Sequence, residues 1–379
     1  ENVLILAYTN RAVDEICESI ADYHPDLADS FLRIGSRFST DARFQRNLLS
    51  NRLEAIDSRA ALRDMLDAHR IVVSTVASLA NRTELLTLKR FDRVILDEAS
   101  QVIEPLLIGL LPHFPRAILI GDHRQLPAVV TQGEDQTRTK DSDFEEIGLD
   151  NLRNSLFDRL YRLAIRKGWT HAFGQLTHQG RMHKDIMAFP NHHFYSGFLH
   201  TLPEEVPAHM FQNQDLNLPT PPKASRLEQA LSTQRVVFLP AKIESESLMS
   251  KTNLREAETV VEVIHAFQRI YQSAGRPFHI ESVGVIAPYR AQIALIKNCL
   301  STAGLDEASL TVDTVERYQG GARDIIIMSL CANHPRQLQS LVSLSSEGVD
   351  RKLNVALTRA RNHLILIGNP DILRLDPRY

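Results

Sequence analysis

Short aliphatic runs alternate with longer amphipathic stretches along the 379 residues of the chain. A short apolar run bounded by turn residues is typical of a buried strand, whereas apolar positions three or four residues apart are typical of a helix. The runs predict strands at 1–8, 71–75, 94–96, 117–120, 235–239, 282–287, 325–328 and 363–367. Because helical stretches separate these strands, we expect an α/β fold of two domains with parallel sheets, at about 1–170 and 171–379.

Helical spacing is evident at 12–20, 102–111, 155–160 and 254–271. Residues 33–70 are polar and helix-like, and the first half of this predicted insertion carries one acid, Asp41, against several arginines: Arg33, Arg37, Arg43, Arg46 and Arg52. Such arginines suit contacts with nucleic-acid phosphates, but a solvated helical excursion fits the same composition. Residues 132–150 are acidic without a clear period, which predicts a surface loop.

Two carboxylates, Asp97 and Glu98, directly follow the predicted strand at 94–96. In open α/β sheets, ligands bind beyond the carboxyl ends of the strands. Neighbouring carboxylates there suit two tasks: holding a Mg²⁺ ion that bridges nucleotide phosphates, and taking a proton from an attacking water. Taken alone, the pair fits a solvated turn after a strand better, so the next strand is needed to decide.

That next strand, at 117–120, ends in the heptapeptide GDHRQLP at 121–127. Its Gln125 is suited to bonding a terminal phosphate or orienting the attacking water. Together with DEASQ at 97–101, the heptapeptide resembles motifs III and II of superfamily 1 helicases. The resemblance is closest to the branch that includes RNA-decay helicases and replication helicase-nucleases.

Further stretches match the same family in its usual order. TNRAVD at 9–14 resembles motif Ia, with Asn10 as the expected helix cap, and 71–75 resembles motif Ib. The family's QYRMH stretch is resembled by QLTHQGRMH at 175–183, and its motif IV by SVGVIAPYRAQ at 282–292. Motif V is resembled by TVDTVERYQG at 311–320, and motif VI by LNVALTRAR at 353–361. The resemblance therefore extends over almost the whole chain.

The resemblance implies two RecA-like P-loop NTPase domains with ATP in the cleft and a single strand of DNA or RNA across the top. It assigns Mg²⁺ to Asp97, the general base to Glu98 and γ-phosphate sensing to Gln125. It also implies that Arg181 and Arg359 contact the phosphates of ATP and that Gly320 binds the nucleotide. The residues that it implies contact the nucleic-acid strand are Thr9, Asn10, Thr75, Arg290 and Thr314.

The chain departs from the family pattern in three ways. It contains no Gly-Lys dipeptide, so the phosphate-binding loop GxxxxGK[ST] is absent. On this basis we expect a first domain truncated at its N-terminus, a longer parent protein with other domains, and no ATP turnover by these residues alone. Gly180 replaces the base-stacking aromatic of QYRMH, and Ala322 replaces a ribose-contacting glutamate of motif V.

The composition of the chain limits how it can bind nucleic acid and where in the cell it is expected. Because the chain has a net charge of −3, any nucleic acid must bind in a local groove rather than through an overall basic field. No apolar run approaches the ~20 residues of a membrane span, and the three cysteines form no CxxC, so we expect a protein of a reducing compartment, the cytoplasm or the nucleus. We also expect a monomer. The main interpretation is an ATP-dependent helicase. A degenerate scaffold without turnover and a signalling ATPase are the rivals, and motifs IV to VI argue against the latter.

Overall fold

The structure is a computed structural model that describes residues 1–203, 205–206, 212–242, 250–318, 321–345 and 347–377. The chain divides into two compact units. The first comprises Glu1–His123 and Pro127–Gly174, and the second comprises Arg124–Leu126 and Gln175–Tyr379.

The strands of the first unit are β1 Val3–Ala7, β2 Phe31–Ile34, β3 Ile71–Thr75, β4 Arg93–Leu96 and β5 Ala117–Leu119. Its helices are α1 Asn10–Tyr23, α2 Leu49–Leu53, α3 Arg59–Ala68, α4 Val76–Ala80, α5 Glu84–Leu88, α6 Glu104–Ile108, α7 Glu134–Thr137, α8 Ser142–Glu146 and α9 Leu156–Lys167. Short 3-10 helices span Pro25–Leu27, Arg37–Ser39, Ala42–Asn47, Ala99–Gln101 and Leu111–His113.

All neighbouring strands of the first sheet run parallel, in the order β2-β3-β1-β4-β5. Side chains of β1 alternate between two apolar clusters, because successive residues of a strand point to opposite faces. Leu4 and Leu6 belong to one cluster, whereas Ala7 belongs to the other together with Val13 of α1. Both faces of the sheet are therefore covered, as the apolar runs predict.

The second unit contains a main sheet and a short pair of strands. Its strands are β6 His178–Gln179, β7 His200–Thr201, β8 Val236–Pro240, β9 Val283–Ile286, β10 Thr311–Asp313, β11 Arg323–Ser329 and β12 Ala360–Gly368. Its helices are α10 Lys184–Phe194, α11 Arg226–Thr233, α12 Leu254–Ser273, α13 Arg290–Thr302, α14 Pro335–Leu341, α15 Arg351–Leu357 and α16 Pro370–Leu373, with 3-10 turns at Ile280–Ser282 and Val315–Tyr318.

The main sheet of this unit is also parallel, in the order β10-β9-β11-β12-β8. The prediction of an α/β fold with parallel sheets is therefore confirmed. Within the described ranges, no helix combines the length and the apolar character that a membrane span requires.

The predicted helix at 102–111 is wrong in its extent. The structure has the 3-10 turn Ala99–Gln101, the short helix α6 and the 3-10 turn Leu111–His113 instead. Prolines occupy the first positions of both α6 and the last of these turns. Because proline is tolerated in a first turn but breaks a helix interior, one continuous helix cannot form across this stretch.

Residues 132–150 are mostly exposed, as expected, but they contain helices α7 and α8 rather than one irregular loop. The carboxylate of Asp141 caps α8 by accepting a hydrogen bond from the backbone N–H of Asp143 at 2.9 Å. Helices of four or five residues contain too little of a helical period to be recognised from apolar spacing. Their capping residues were the available signal.

The start of the predicted insertion at 33–70 overlaps a strand, β2, that the sequence did not predict. Strand β2 is buried along its whole length and pairs with β3. Arg33 lies in this strand with its side chain fully buried, so it is neither a solvated residue nor a direct phosphate contact. A basic residue inside an otherwise apolar run of four obscured the strand pattern.

Candidate functional site

Asp97 and Glu98 follow strand β4 at the carboxyl edge of the first sheet, and both residues are half-buried. The backbone N–H of Asp97 donates to the carbonyl of Leu6 at 2.8 Å, which ties this position to β1. One carboxylate oxygen of Asp97 accepts from the backbone N–H of Glu98 at 2.9 Å. A held carboxylate at this edge has the hard oxygen chemistry that Mg²⁺ prefers.

Glu98 has a left-handed backbone, with φ 52° and ψ 37°. Residues other than glycine rarely adopt this conformation, and such strained residues cluster at functional sites. Its Oε2 accepts a hydrogen bond from Nε2 of Gln101 at 2.7 Å. Gln101 is therefore a site residue that the sequence argument missed, although its position at the end of DEASQ was a usable signal.

The turn after β4 lies directly against the end of β5. The backbone N–H of Ala99 donates to the carbonyl of Ile120 at 2.8 Å. A Cβ added to Gly121 would lie 2.9 Å from the backbone nitrogen of Ser100, so a side chain at 121 would clash with this turn. The two strands thus end side by side, as expected from their sequence.

Gln125 does not share this compact unit with Asp97. It belongs to the segment Arg124–Leu126, which the structure groups with the second unit. The carbonyl of Arg124 accepts from Nδ2 of Asn354 at 2.8 Å, and Leu126 is buried in the apolar cluster of that unit. Gln125 thus follows β5 in sequence but is grouped with the second unit, and its role at the phosphates stays a prediction from the sequence.

The motif Ia residues lie at the start of α1. Thr9, not Asn10, is the helix cap, since its Oγ1 accepts from the backbone N–H of Ala12 at 3.1 Å. Asn10 is the first residue of the helix, so the predicted cap is off by one position. Thr9 is exposed, which leaves it accessible to a ligand.

Thr75 ends strand β3 and is the register partner of Ala7 in β1, so it lies at the same sheet edge as Thr9. It is only 5% exposed. Its Oγ1 accepts from the backbone N–H of Ser78 at 3.0 Å and donates to that residue's hydroxyl at 2.8 Å. The hydroxyl of Thr75 thus caps α4, and Thr9 is the more accessible of the two threonines.

The two candidate arginines of the second unit meet at the junction of α15 and β12. Nη1 of Arg181 donates to the carbonyl of Thr358 at 3.3 Å, and Arg181 is half-buried. Arg359 is 2% exposed, with Nε bonded to the carbonyl of Val355 at 3.0 Å and Nη1 bonded to that of Gly321 at 3.3 Å. The predicted nucleotide residue Gly320 lies outside the described residues.

The two departures from the family pattern have local structural roles. A Cβ on Gly180 would lie 2.9 Å from Cδ1 of Leu202, so a larger residue at 180 requires that leucine to move. The carbonyl of Ala322 accepts from Nη1 of Arg323 at 2.9 Å. Neither position offers a ring or a carboxylate for base or ribose contacts.

Arg290 and Thr314 follow the neighbouring strands β9 and β10, whose ends pair Ile286 with Asp313. Arg290 is exposed at the first position of α13. The backbone N–H of Thr314 donates to the carboxylate of Asp313 at 2.8 Å. The second sheet therefore brings Arg290 and Thr314, both predicted contacts of the nucleic-acid strand, to one edge.

Behind Arg290 lies a buried polar network that the sequence argument missed. Gln292 is fully buried, and its side-chain amide bonds both the backbone N–H and the carbonyl of Asn253, at 2.7 and 3.0 Å. It also donates to the hydroxyl of Ser329 at 3.1 Å. The glutamine of motif IV thus braces the cap of α12 against β11, and the buried acid Glu256 completes the network.

Glu256 accepts hydrogen bonds at Oε2 from the hydroxyl of Ser329 at 2.7 Å and from the backbone N–H of Cys331 at 2.9 Å. Its other oxygen is buried without a hydrogen-bond partner. Burial raises the pKa of Glu256 to about 7, against the lowering effect of these two bonds. The spacing of Asn253 and Glu256, a cap residue followed three positions later by an acid, was the only sequence signal.

Glu256→Gln should therefore change how stability depends on pH. Between the ordinary pKa of 4.5 and about 7, the folded chain binds more protons at Glu256 than the unfolded chain. This contribution is complete below 4.5, declines as the pH rises to 7, and is constant above it. The variant does not titrate, so relative to wild type it should gain on the order of 3 kcal/mol from pH 4.5 to 7.5.

Thermal melts of both proteins at each pH measure this difference. The comparison with wild type is needed because burial lowers the pKa of His363 to about 4, which makes stability rise with pH over much of the same window. Glu258→Gln, at an exposed position of the same helix, is the control. A Glu256→Gln curve parallel to wild type would contradict the assigned pKa.

Histidines and acids elsewhere do not assemble a separate metal centre in the described parts of the chain, where no group of three or more His, Cys, Asp or Glu side chains is arranged to hold an ion. Mg²⁺ bound with nucleotide typically needs only one or two carboxylates, because phosphates and water supply the remaining ligands. Asp97 fits that requirement.

Comparison with known proteins agrees with the sequence motifs. Two family models, each described as an AAA domain, match residues 36–132 and 152–371. The DNA replication ATP-dependent helicase/nuclease DNA2 of Xenopus laevis is 31% identical, over 99% of this chain and 34% of its own length. The corresponding protein of Mus musculus is 30% identical, over 99% of this chain and 33% of its own length.

The DNA polymerase alpha-associated DNA helicase A of Saccharomyces cerevisiae is 31% identical, over 83% of this chain and 44% of its own length. The chain thus spans between about a third and less than half of the length of these three relatives. The match at 152–371 alone covers more than half of the chain. Together with the ordered motifs and the two parallel sheets, this places the chain in the AAA-domain family of superfamily 1 helicases.

Proposed function

We propose that this chain forms the motor core of an ATP-dependent helicase that moves along single-stranded nucleic acid. The observation that carries the proposal is the Asp97–Glu98 pair at the carboxyl edge of the first sheet, with Glu98 strained and held by Gln101. The names of the relatives mention DNA, which favours DNA over RNA as the track. We further propose that the protein acts as a monomer in the cytoplasm or nucleus.

ATP with Mg²⁺ supplies the phosphoanhydride bond whose cleavage drives the motor. Asp97 has the chemistry to hold the ion, and Glu98 has the chemistry to accept a proton from the attacking water. The bond from Gln101 holds one oxygen of Glu98, which limits the positions its carboxylate samples. Gln125 would orient the same water or bond the terminal phosphate.

Arg181 and Arg359 would stabilise the charge that develops on the transferred phosphoryl group, since a guanidinium keeps its charge and presents paired donors. Because Arg359 is 2% exposed, it would first have to leave the carbonyls of Val355 and Gly321. The convergence of the two arginines on Thr358–Arg359 supports this role, because one shift of that junction would move both guanidinium groups. Gly320 remains a predicted nucleotide residue.

Four residues are proposed contacts for the phosphates of the strand: Thr9 and Asn10 in the first unit, and Arg290 and Thr314 in the second. Each pair lies at the carboxyl edge of its own sheet. Thr75 is a weaker candidate, because it is nearly buried and its hydroxyl caps α4. Backbone contacts of this kind tolerate any base sequence and make affinity sensitive to salt.

A salt titration of strand binding tests the proposal. The affinity of the full-length protein for a labelled oligothymidylate should fall with salt, by a slope of roughly −0.7 per phosphate contacted. Arg290→Ala should reduce that slope by about 0.7. Arg276→Ala is the matched control, because exposed Arg276 precedes β9 and so lies toward the opposite sheet edge.

Fluorescence anisotropy at several salt concentrations, with and without a non-hydrolysable ATP analogue, gives both slopes. An affinity for the oligothymidylate that does not depend on salt would overturn the proposed contacts with its phosphates. An affinity that the analogue leaves unchanged would overturn the coupling between nucleotide and strand.

A further inference from the structure

Arg33 is the largest side chain that the structure buries completely within its described residues. It lies in β2 at the margin of the first sheet, beside β3. Arginine is almost never fully buried unless it is paired, so this position requires specific partners. Its charged partner lies on α1, the helix that follows Thr9.

The guanidinium of Arg33 contacts α1 at two points of its first turns. Nη2 donates to Oδ1 of Asp14 at 2.7 Å and lies 3.5 Å from the carbonyl oxygen of Asn10. Nη1 donates to Oγ1 of Thr40 at 2.5 Å, and that hydroxyl donates onward to the carbonyl of Ser36 at 2.8 Å. Arg33 thus connects the start of α1 to the loop after β2.

The chain makes room for this guanidinium with a glycine. A Cβ on Gly35 would lie 2.6 Å from Nη1 of Arg33, closer than real Cβ contacts come. Any other residue at 35 would displace the buried cation from Asp14 or Thr40. The arrangement therefore depends on Gly35 as well as on Arg33.

Stability alone is a weak explanation for this pair. Removing two charges from water is unfavourable, and well-packed apolar residues often replace buried ion pairs without loss of stability. What such a pair adds is a fixed geometry, because its hydrogen bonds form only in one arrangement. Here the geometry that is fixed is that of the first turn of α1, between Thr9 and Asp14.

We propose that Arg33, acting through Asp14 and the Asn10 carbonyl, is a positioning residue that holds Thr9 and Asn10 against the phosphates of the single strand. This inference rests on the proposed function. Arg33 does not contact the strand, since its side chain has no exposed surface. It orients the turn that does.

The test is a double-mutant cycle on strand affinity in the full-length protein, with labelled oligothymidylate as the probe. Arg33→Lys keeps the positive charge but loses the fork that reaches both Asp14 and Thr40, and it should weaken binding roughly tenfold, as expected for one charge-assisted hydrogen bond. Thr9→Ala should also weaken binding. Because Arg33 acts through Thr9, the double variant should lose little more than the single variants do.

Arg159→Lys is the matched control. Arg159 forms a buried pair with both oxygens of Glu104, at 2.6 and 2.7 Å, in the same unit but between α9 and α6. It should lower the melting temperature as Arg33→Lys does, yet leave strand affinity unchanged. Asp14→Asn, which keeps a hydrogen-bond acceptor on α1, provides a second variant if Arg33→Lys fails to fold.

The outcomes separate the two ideas. Wild-type affinity in folded Arg33→Lys or Asp14→Asn, or losses that simply add in the double variant, would overturn the positioning role. A normal affinity of Thr9→Ala would instead overturn the proposed strand contact at α1. Weaker binding by Arg159→Lys as well would mean that lost stability, rather than positioning, explains the effect.

Discussion

Arg359→Ala should lower ATP turnover of the full-length protein by about 10³- to 10⁵-fold, the range typical of arginine fingers. The structure adds a second consequence. The guanidinium bonds the carbonyls of Val355 and Gly321, so alanine leaves both without this donor inside the second unit. Melting temperature should therefore fall along with turnover, because these buried hydrogen bonds are lost.

Arg359→Lys separates the two effects. Lysine keeps the charge and most of the side-chain volume, so it should recover stability while leaving turnover low, because it cannot reproduce the planar fork. Arg361→Ala is the control, since exposed Arg361 pairs only loosely with Asp324, at 3.6 Å. Single-turnover ATP hydrolysis and thermal melts on all three variants give the comparison. Near-normal hydrolysis by Arg359→Ala would remove this residue from the site.

Glu98→Gln should reduce turnover by about 10²- to 10⁴-fold, the usual loss when a general base is removed. Glutamine keeps the size of the side chain and can still bond Gln101, but it no longer accepts a proton. Nucleotide affinity should be unchanged, because Asp97 and not Glu98 is the proposed ligand of the ion. Steady-state hydrolysis and binding of a fluorescent ATP analogue measure the two quantities.

The matched control is Glu84→Gln, an exposed acid of the same unit in α5. It should change neither quantity. Loss of nucleotide binding together with turnover in Glu98→Gln would assign Glu98 to the ion rather than to the proton. Unchanged turnover would show that the base lies elsewhere.

The strands that carry the site could be predicted because they are apolar and short. The strand at 71–75 coincides with β3, and 94–96 falls within β4. The edge at which Asp97 and Glu98 lie follows from parallel α/β packing. This part of the fold depends on local pattern, which a single sequence contains.

What could not be predicted depends on contacts between distant residues. Arg33 looked like a surface arginine, because its partner Asp14 is nineteen positions earlier and only the fold brings them to 2.7 Å. Gln292 belongs to motif IV, which also contains the predicted nucleic-acid contact Arg290, yet the side chain of Gln292 is bonded to Asn253. Spacing along the chain carries no signal for either pair.

The position of a helix cap was predicted wrongly for a local reason. Thr9 and Asn10 are both good capping residues, and the choice between them depends on which backbone adopts the extended conformation. Thr9 does, with φ −113° and ψ 155°. The grouping of Gln125 with the second unit was not predicted either, because it depends on the burial of its neighbour Leu126 in the apolar cluster of that unit.

The left-handed backbone of Glu98 has a consequence for directed evolution. A glutamate in this conformation costs about 1–2 kcal/mol relative to glycine, which adopts it freely. A library of this chain selected only for thermal resistance should therefore enrich glycine or asparagine at position 98. Thermostabilised variants obtained without a turnover screen would be expected to lose their proposed base first.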